Sequence, residues 1–348
     1  MLYFNNDYNE ICHPAVMERL TELTRVQMPG YGMDECCAEA AAMIRKACDA
    51  PDTAVHFLVG GTQTNLTVIA AALRPHQGVI AAETGHIHVH ETGAIEATGH
   101  KVIAIPSKDG KLRPEAARQV VESQKYSPDA EHIVQPKMIY ISNPTEYGTL
   151  YSLNELTELS QLCRKYGLYL FVDGARMGYG LAAVGNDITL ADYAKLCDAF
   201  YIGGTKCGAM FGEAVVIPNP FIAEDFRYLI KQRGGMLAKG WLLGAQFQAL
   251  FTNDLYMQIA AHADAMADRI RRTLSDLDCE LFLPGTTNQV FVTLPDAALA
   301  ELAKNFTFAT WEKADDTHTT VRFCTSWATA EENVSALCAA LKQILGKV

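Results

Sequence analysis

The chain has 348 residues, 49% hydrophobic and 20% charged, an ordinary globular composition that suggests about two domains at roughly 150 residues each. Its formal net charge of −11, with no basic stripe, repels phosphate backbones and anionic lipid surfaces and so argues against nucleic acid or a membrane as a partner. No stretch approaches the ~18 apolar residues of a membrane span, and no basic segment leads into an apolar run at the start, so a cytoplasmic protein with reduced cysteines is expected.

From about residue 53 short apolar runs alternate with helical patterns. His56–Val59 reads as a strand and Leu66–Leu73 as a helix. Val79–Ala82 is the next strand, followed by a helix over His88–Ala97. Val102–Ile105, Met138–Ile141, Tyr169–Val172 and Phe200–Ile202 continue the strands, with strong helical periodicity over Glu115–Gln124 and Leu153–Tyr166. Val215–Ile217 closes a set of seven. Continuous apolar strands alternating with helices predict an α/β fold whose mostly parallel sheet is buried on both faces. Beyond Phe221 the texture changes. A long helix is expected from Leu242 to Leu277, then strands at Cys279–Leu283, Gln289–Thr293, Phe306–Trp311 and Thr320–Cys324, and a last helix over Ala330–Leu345. This places a boundary near residue 245. An N-terminal arm and large domain occupy 1–245, and a smaller C-terminal α/β domain occupies 246–348, joined by a helix rather than a flexible tether.

In open α/β sheets ligands gather at the carboxyl ends of the parallel strands. Three polar features fall there. Gly60-Gly61-Thr62-Gln63-Thr64-Asn65 follows the first strand and opens a helix, where free N–H groups and the Thr62 hydroxyl suit an anion such as phosphate. A simple capped turn explains the same residues. Asp173 ends the strand Leu170-Phe171-Val172, and a buried carboxylate there needs a cationic partner, such as a protonated pyridine nitrogen. Arg176, three residues on, has the planar fork that fits a substrate carboxylate, although an internal Asp173–Arg176 ion pair would also satisfy both. Lys206 emerges from Gly203-Gly204-Thr205 after the next strand, a position suited to Schiff-base chemistry once desolvation lowers its pKa. Each signal alone is weak. Their order along one α/β domain makes them mutually consistent.

With these residues in place, the chain resembles the threonine aldolase branch of the fold-type I pyridoxal-phosphate enzymes, close to the β-eliminating lyases. The matching stretches are Gly60–Asn65, Thr84-Gly85-His86, Val172-Asp173-Gly174-Ala175-Arg176, the Lys206 turn, Gly234-Gly235-Met236 and Val321-Arg322. The resemblance implies an aspartate aminotransferase-like large domain that binds pyridoxal 5'-phosphate, in a homodimer or homotetramer with active sites at the subunit interface. It implies that Gly61 and Thr62 hold the phosphate, His86 stacks on the pyridine ring, Asp173 bonds the ring nitrogen and Lys206 carries the cofactor. Arg176 and Arg322 would grip the substrate carboxylate, with Asn6 beside it where the family has a serine. Tyr31 would come from the neighbouring subunit. A second family histidine is absent, and the region reads Asn143-Pro144-Thr145-Glu146-Tyr147-Gly148. Leu237 stands where the family has an arginine after Gly-Gly-Met.

The implied reaction is aldol cleavage of a β-hydroxy-α-amino acid (threonine, allo-threonine or a phenylserine) to glycine and an aldehyde. His86 is the first candidate for the base and Glu146 the second. The nearest rival is β-elimination, as in tyrosine phenol-lyase or tryptophanase, and transamination stands behind it. A histidine-rich metalloenzyme is a rival of another class. His86, His88 and His90 alternate, which on a strand would put their rings on one face, but the helical pattern that follows argues against such a centre, and none is expected. A non-catalytic binding protein that kept the fold is disfavoured by the joint presence of Lys206, Asp173, Arg176 and Arg322.

Overall fold

The computed structural model describes residues 1–346. In chain order its strands are β1 (Leu2–Tyr3), β2 (Ala54–Leu58), β3 (Gln77–Ala82), β4 (Val102–Ile105), β5 (Gln135–Ser142) and β6 (Tyr169–Asp173). There follow β7 (Ala199–Gly203), β8 (Glu213–Ile217), β9 (Gln289–Pro295), β10 (Phe306–Thr307), β11 (Ala309–Lys313) and β12 (His318–Cys324). Seven of them form one sheet in the order β2-β8-β7-β6-β5-β3-β4. The pairings from β7 across to β4 are parallel, while β8 runs antiparallel to both β7 and β2. Two reversals return β2 to the common direction, so its carboxyl end opens on the same edge as those of β6 and β7.

Successive side chains of a strand face opposite ways, and here both faces are covered. Ile139, Ile141, Leu170, Val172, Phe200 and Ile202 enter one core. Met138, Tyr140, Phe171, Ala199 and Tyr201 enter the other. Helices Glu35–Ala47, Pro114–Lys125 and Leu153–Tyr166 cover the first face through Ile44, Val121 and Leu159. Helix Gly61–Ala72 covers the second through Val68 and Ile69. This two-sided burial is why the strands read as unbroken apolar runs. The parity also puts Asp173 on the same face as Phe171, beneath helix Gly61–Ala72.

A second sheet, β11-β12-β9, is antiparallel. Its Val292, Val321 and Phe323 pack with Ile270 and with Leu337 of the last helix, Glu331–Leu345, in a third core. Phe4 joins that core, and β1 pairs in parallel with β10, so the first residues of the chain are stitched onto the region of the second sheet. Helix Leu255–Asp276 spans two cores. Ala260 and Ala263 lie in the first core, and Met266 and Ile270 in the third.

Four expected elements differ. The helix expected over Leu242–Leu277 is two, Trp241–Phe251 and Leu255–Asp276, because Asn253 (φ 53°) and Asp254 (φ 59°) take left-handed backbone that an α-helix cannot continue. The helix expected over His88–Ala97 is reduced to His86–Val89 and a 3₁₀ turn at Glu96–Thr98, broken by Thr92 (φ 53°) and Gly93 (φ 72°). Cys279–Leu283 contributes only a Leu281–Val292 bridge. Phe306–Trp311 divides at Phe308 into β10 and β11, which pair with different partners. Among the described residues no helix is long and apolar enough to cross a membrane.

Candidate active site

The carboxyl ends of β2, β6 and β7 meet at one edge through glycines. Gly203 donates its N–H to Gly174 O at 2.9 Å, and a side chain at Gly203 would collide with the Ala175 carbonyl. The turns that carry Asp173 and Lys206 can therefore touch backbone to backbone, which sets the two functional side chains side by side. Helix Gly61–Ala72 starts after β2 with Gly60 as its cap and no side chain bonded to its first turn. A side-chain carbon at Gly61 would come to 3.0 Å from the Tyr201 hydroxyl, so only glycine lets this helix begin so close to β7. Thr62 is exposed beside it. Gln63 holds the cradle to the Gly-Gly-Met loop, accepting from Val59 N–H at 3.3 Å and donating to Arg233 O at 3.2 Å. An uncapped helix N-terminus of this kind is an anion site.

Asp173 is buried and receives three donors. Asn65 Nδ2 lies 3.0 Å and the Tyr140 hydroxyl 2.5 Å from Oδ2, and Ala175 N–H lies 3.0 Å from Oδ1. Burial would raise its pKa. The nearby His86 and these hydrogen bonds outweigh burial and hold the carboxyl below its ordinary value. Lys206 is shifted down, first by desolvation and then by the Arg176 guanidinium, with Asp7, Asp173 and Glu213 pulling the other way. A lowered amine pKa is what a lysine nucleophile needs. Glu213, buried beneath the Lys206 turn, accepts from Thr205 Oγ1 at 2.8 Å and Gly204 N–H at 3.1 Å. Burial pushes its carboxyl up to about 8.

Arg176 does not pair with Asp173. It forms a two-pronged ion pair with Asp7, Nε to Oδ2 at 2.6 Å and Nη2 to Oδ1 at 3.0 Å. Asp7 is fully buried and also accepts from Asn288 Nδ2 at 2.9 Å. Burial opposes its ionisation, but Arg176 and Lys206 prevail and hold it well below the usual carboxylate range. Arg322, on β12, donates Nη1 to Gln289 Oε1 at 2.9 Å and Nη2 to Asn5 O at 3.0 Å, and its buried Nε has no partner among the described residues. Its guanidinium lies 5.9 Å from the Trp311 ring centre. Asn6 sits next to Asp7 but turns its Oδ1 back to Tyr8 N–H at 3.0 Å. His86 donates its backbone N–H to Glu146 Oε1 at 2.9 Å, and its ring Nδ1 lies 2.7 Å from Glu91 Oε1. The His86–Val89 segment is helical, so His86 and His88 do not share a strand face as the metal reading required.

Tyr31 stands apart. It is exposed, with Lys231 Nζ 5.0 Å from its ring centre, and lines a surface cavity with Met33, Arg45, His56, Arg227 and Met236. None of these belongs to the Lys206 cluster. Asp7, Asn65, Glu91, Tyr140, Tyr201 and Glu213 do belong to it, and none was singled out from the sequence for the role it has here. A tyrosine in each of two otherwise apolar strands was the available signal for Tyr140 and Tyr201.

A mostly parallel sheet with an uncapped helix start, a donor-held aspartate and a desolvated lysine on one edge defines a fold-type I pyridoxal-phosphate enzyme. The orphaned anion cradle, the carboxylate without a cationic side chain bonded to it and the low-pKa amine fit the phosphate, ring nitrogen and aldehyde of that cofactor. The family model for beta-eliminating lyases matches residues 13–297, and the chain belongs to that family, in its threonine aldolase branch. A low specificity L-threonine aldolase of Pseudomonas aeruginosa is 30% identical over 348 residues, 99% of this chain and 98% of that protein. The structure of Leishmania major threonine aldolase superposes with a TM-score of 0.97 at 45% identity, covering 99% of this chain and 100% of that one. A Thermus thermophilus aspartate aminotransferase shares the fold at TM-score 0.74 and 17% identity, over 99% of this chain and 92% of that one.

Proposed function

We propose that the protein cleaves β-hydroxy-α-amino acids of the threonine type to glycine and an aldehyde. The observation that carries this reading is the meeting of a desolvated Lys206, an ionised Asp173 and the two arginines Arg176 and Arg322 around one sheet edge. Bound there, pyridoxal phosphate supplies the electron sink that accepts the electron pair of the breaking Cα–Cβ bond. The first turn of helix Gly61–Ala72, with Gly61 and Thr62, would hold its phosphate. Asp173 would keep its ring nitrogen protonated, His86 would stack on its ring and Lys206 would hold it covalently. Arg176 and Arg322 orient the substrate carboxylate, with Asn6 at the edge of that grip. His86 takes the β-hydroxyl proton, while Glu146, whose Oε1 already accepts from His86 N–H and Ser142 Oγ, serves as its support.

Tyr31 reads as a residue offered to a neighbouring subunit, which implies at least a homodimer, and a homotetramer is consistent with the resemblance. Ten free thiols suit the reducing cytoplasm. Helix Leu255–Asp276 reads as the joint between the cofactor lobe and the small lobe.

The test begins with the absorption spectrum of the purified protein and borohydride treatment, followed by threonine and phenylserine. A near-visible band that borohydride fixes on Lys206, with aldehyde and glycine released, supports the assignment. Pyruvate and ammonia in their place would move the reaction to β-elimination, the chemistry for which the family model is named. Lys206→Ala should lose both band and turnover; near-normal activity in that variant refutes the role of Lys206.

A further inference from the structure

Glu91 is buried with its side chain fully enclosed. Its Oε1 receives two donors, the His86 ring Nδ1 and Asn65 Nδ2, each at 2.7 Å. The second hydrogen of Asn65 Nδ2 points to Asp173 Oδ2, 3.0 Å away. A second path joins the same two ends. His86 N–H reaches Glu146 Oε1, which Ser142 Oγ meets at 2.6 Å; Ser142 Oγ lies 3.4 Å from the Tyr140 hydroxyl, which donates to Asp173. Seven residues thus join His86 to Asp173 by two routes; the Asn65 route is hydrogen-bonded throughout, while Ser142 and Tyr140 each spend their one hydrogen elsewhere and meet only in contact.

The Asn65 route fixes protons. An asparagine amide turned the other way would aim its oxygen at two carboxylates, so the Asn65 NH₂ must face Glu91 and Asp173, at the cost of leaving its own Oδ1 buried without a partner among the described residues. Facing an amide donor, Glu91 is an acceptor, and the Nδ1 of His86 carries the hydrogen. In the neutral ring the lone pair is then on Nε2. A carboxylate behind a histidine setting its tautomer and ring angle is a general device of metal and acid–base sites.

We propose that Glu91 is a positioning residue for the bond-breaking step, holding His86 in the Nδ1–H tautomer and, through Asn65, in fixed relation to Asp173. This rests on the reading of His86 as the proton acceptor. Both donors converge on one oxygen, so Glu91→Gln can keep both bonds through its amide oxygen, with its NH₂ where the unpartnered Oε2 now lies. Asn65 enforces that orientation. Without Asn65 the glutamine is free to turn its NH₂ toward Nδ1 and select the wrong tautomer.

The test is a double-mutant cycle of Glu91→Gln and Asn65→Ala, with Glu91→Ala alongside. All are measured as cofactor-loaded enzyme and by ¹⁵N NMR of histidine-labelled protein, with His86→Gln assigning the signal. Glu91→Gln should retain kcat within about tenfold, whereas Glu91→Ala loses about a hundredfold or more with KM within about threefold. The double variant should fall further than the product of its singles, by about tenfold. The ¹⁵N shifts should show hydrogen on Nδ1 in the native protein and Glu91→Gln, and on Nε2 in the double variant. An unchanged tautomer throughout, or multiplicative losses in the cycle, overturns the proposal. A tautomer that moves while turnover does not would instead overturn the reading of His86 as the base.

Discussion

Asp173 and Asp264 are the same residue at nearly the same depth, 4% and 7% exposed, yet they hold opposite charge states. Asp173 sits at the mouth of β6 among three donors and is held ionised. Asp264 sits on the inner side of helix Leu255–Asp276, and neither of its oxygens has a partner among the described residues. Burial pushes it up to about 9, and the guanidinium of Arg271, which is spent on the carbonyls of Thr287 and Gln289, does not reverse that. Depth alone therefore does not decide whether a carboxyl carries charge. The donors that the fold supplies decide it, and here they gather at the mouth of β6.

The largest break of this contrast comes from Asp173→Ala. It removes the carboxylate proposed to meet the ring nitrogen and strands the donors of Asn65 and Tyr140. Turnover should fall by about a thousandfold, or about 4 kcal/mol of barrier, measured with bound cofactor quantified by absorbance. Asp264 is broken from the opposite side. Its folded pKa, about 9, lies above the unfolded value of 3.8. The proton it keeps favours the fold fully below pH 3.8, and this contribution is lost as pH rises toward 9. Asp264→Asn removes the loss. Denaturation curves of variant and native protein should therefore diverge in favour of the variant between pH 5 and 9, with the gap widening at each pH unit and largest at the alkaline end. Glu213, raised to about 8, gives a slope of the same sign, so part of the decline should survive in the variant. A constant difference across that range would mean that Asp264 does not titrate within it. The smallest change is Tyr140→Phe, which removes one donor of three from Asp173. A loss of about 1 kcal/mol, near fivefold in kcat, is expected, with the cofactor retained.

The seven central strands were legible because two-sided burial writes itself as apolar runs, and Lys206, Asp173 and the Gly60–Asn65 turn were legible because strand ends are where polar residues interrupt them. The rest of the site was hidden for particular reasons. Asp7 and Arg176 are 169 residues apart, and nothing local at Asp7 announces a cation. Glu91 lay inside a run whose alternating histidines suggested a metal and whose pattern suggested a longer helix; the left-handed Thr92 that ends it is a residue type that rarely adopts that backbone. Tyr140 was counted with the apolar strand that contains it. The break at Asn253 and Asp254 was equally silent, since both residues are compatible with a helix surface and only their positive φ reveals the stop.

The pairing of β1 with β10 and the grip of Asp7 on Arg176 have a consequence for the order of assembly. Asn5 is translated 317 residues before Arg322, and Asp7 281 residues before Asn288. At 5–20 residues per second, roughly 15–60 seconds separate them on the ribosome. Through that interval the arm lacks its partner strand, and such long-range contacts form late because loop closure must be met before they stabilise anything. A chain released early would therefore carry the lysine and the aspartate but not the arginine of β12 or the asparagine that seats Asp7. It would present the edge that carries Lys206 without the contacts that the second sheet adds to it.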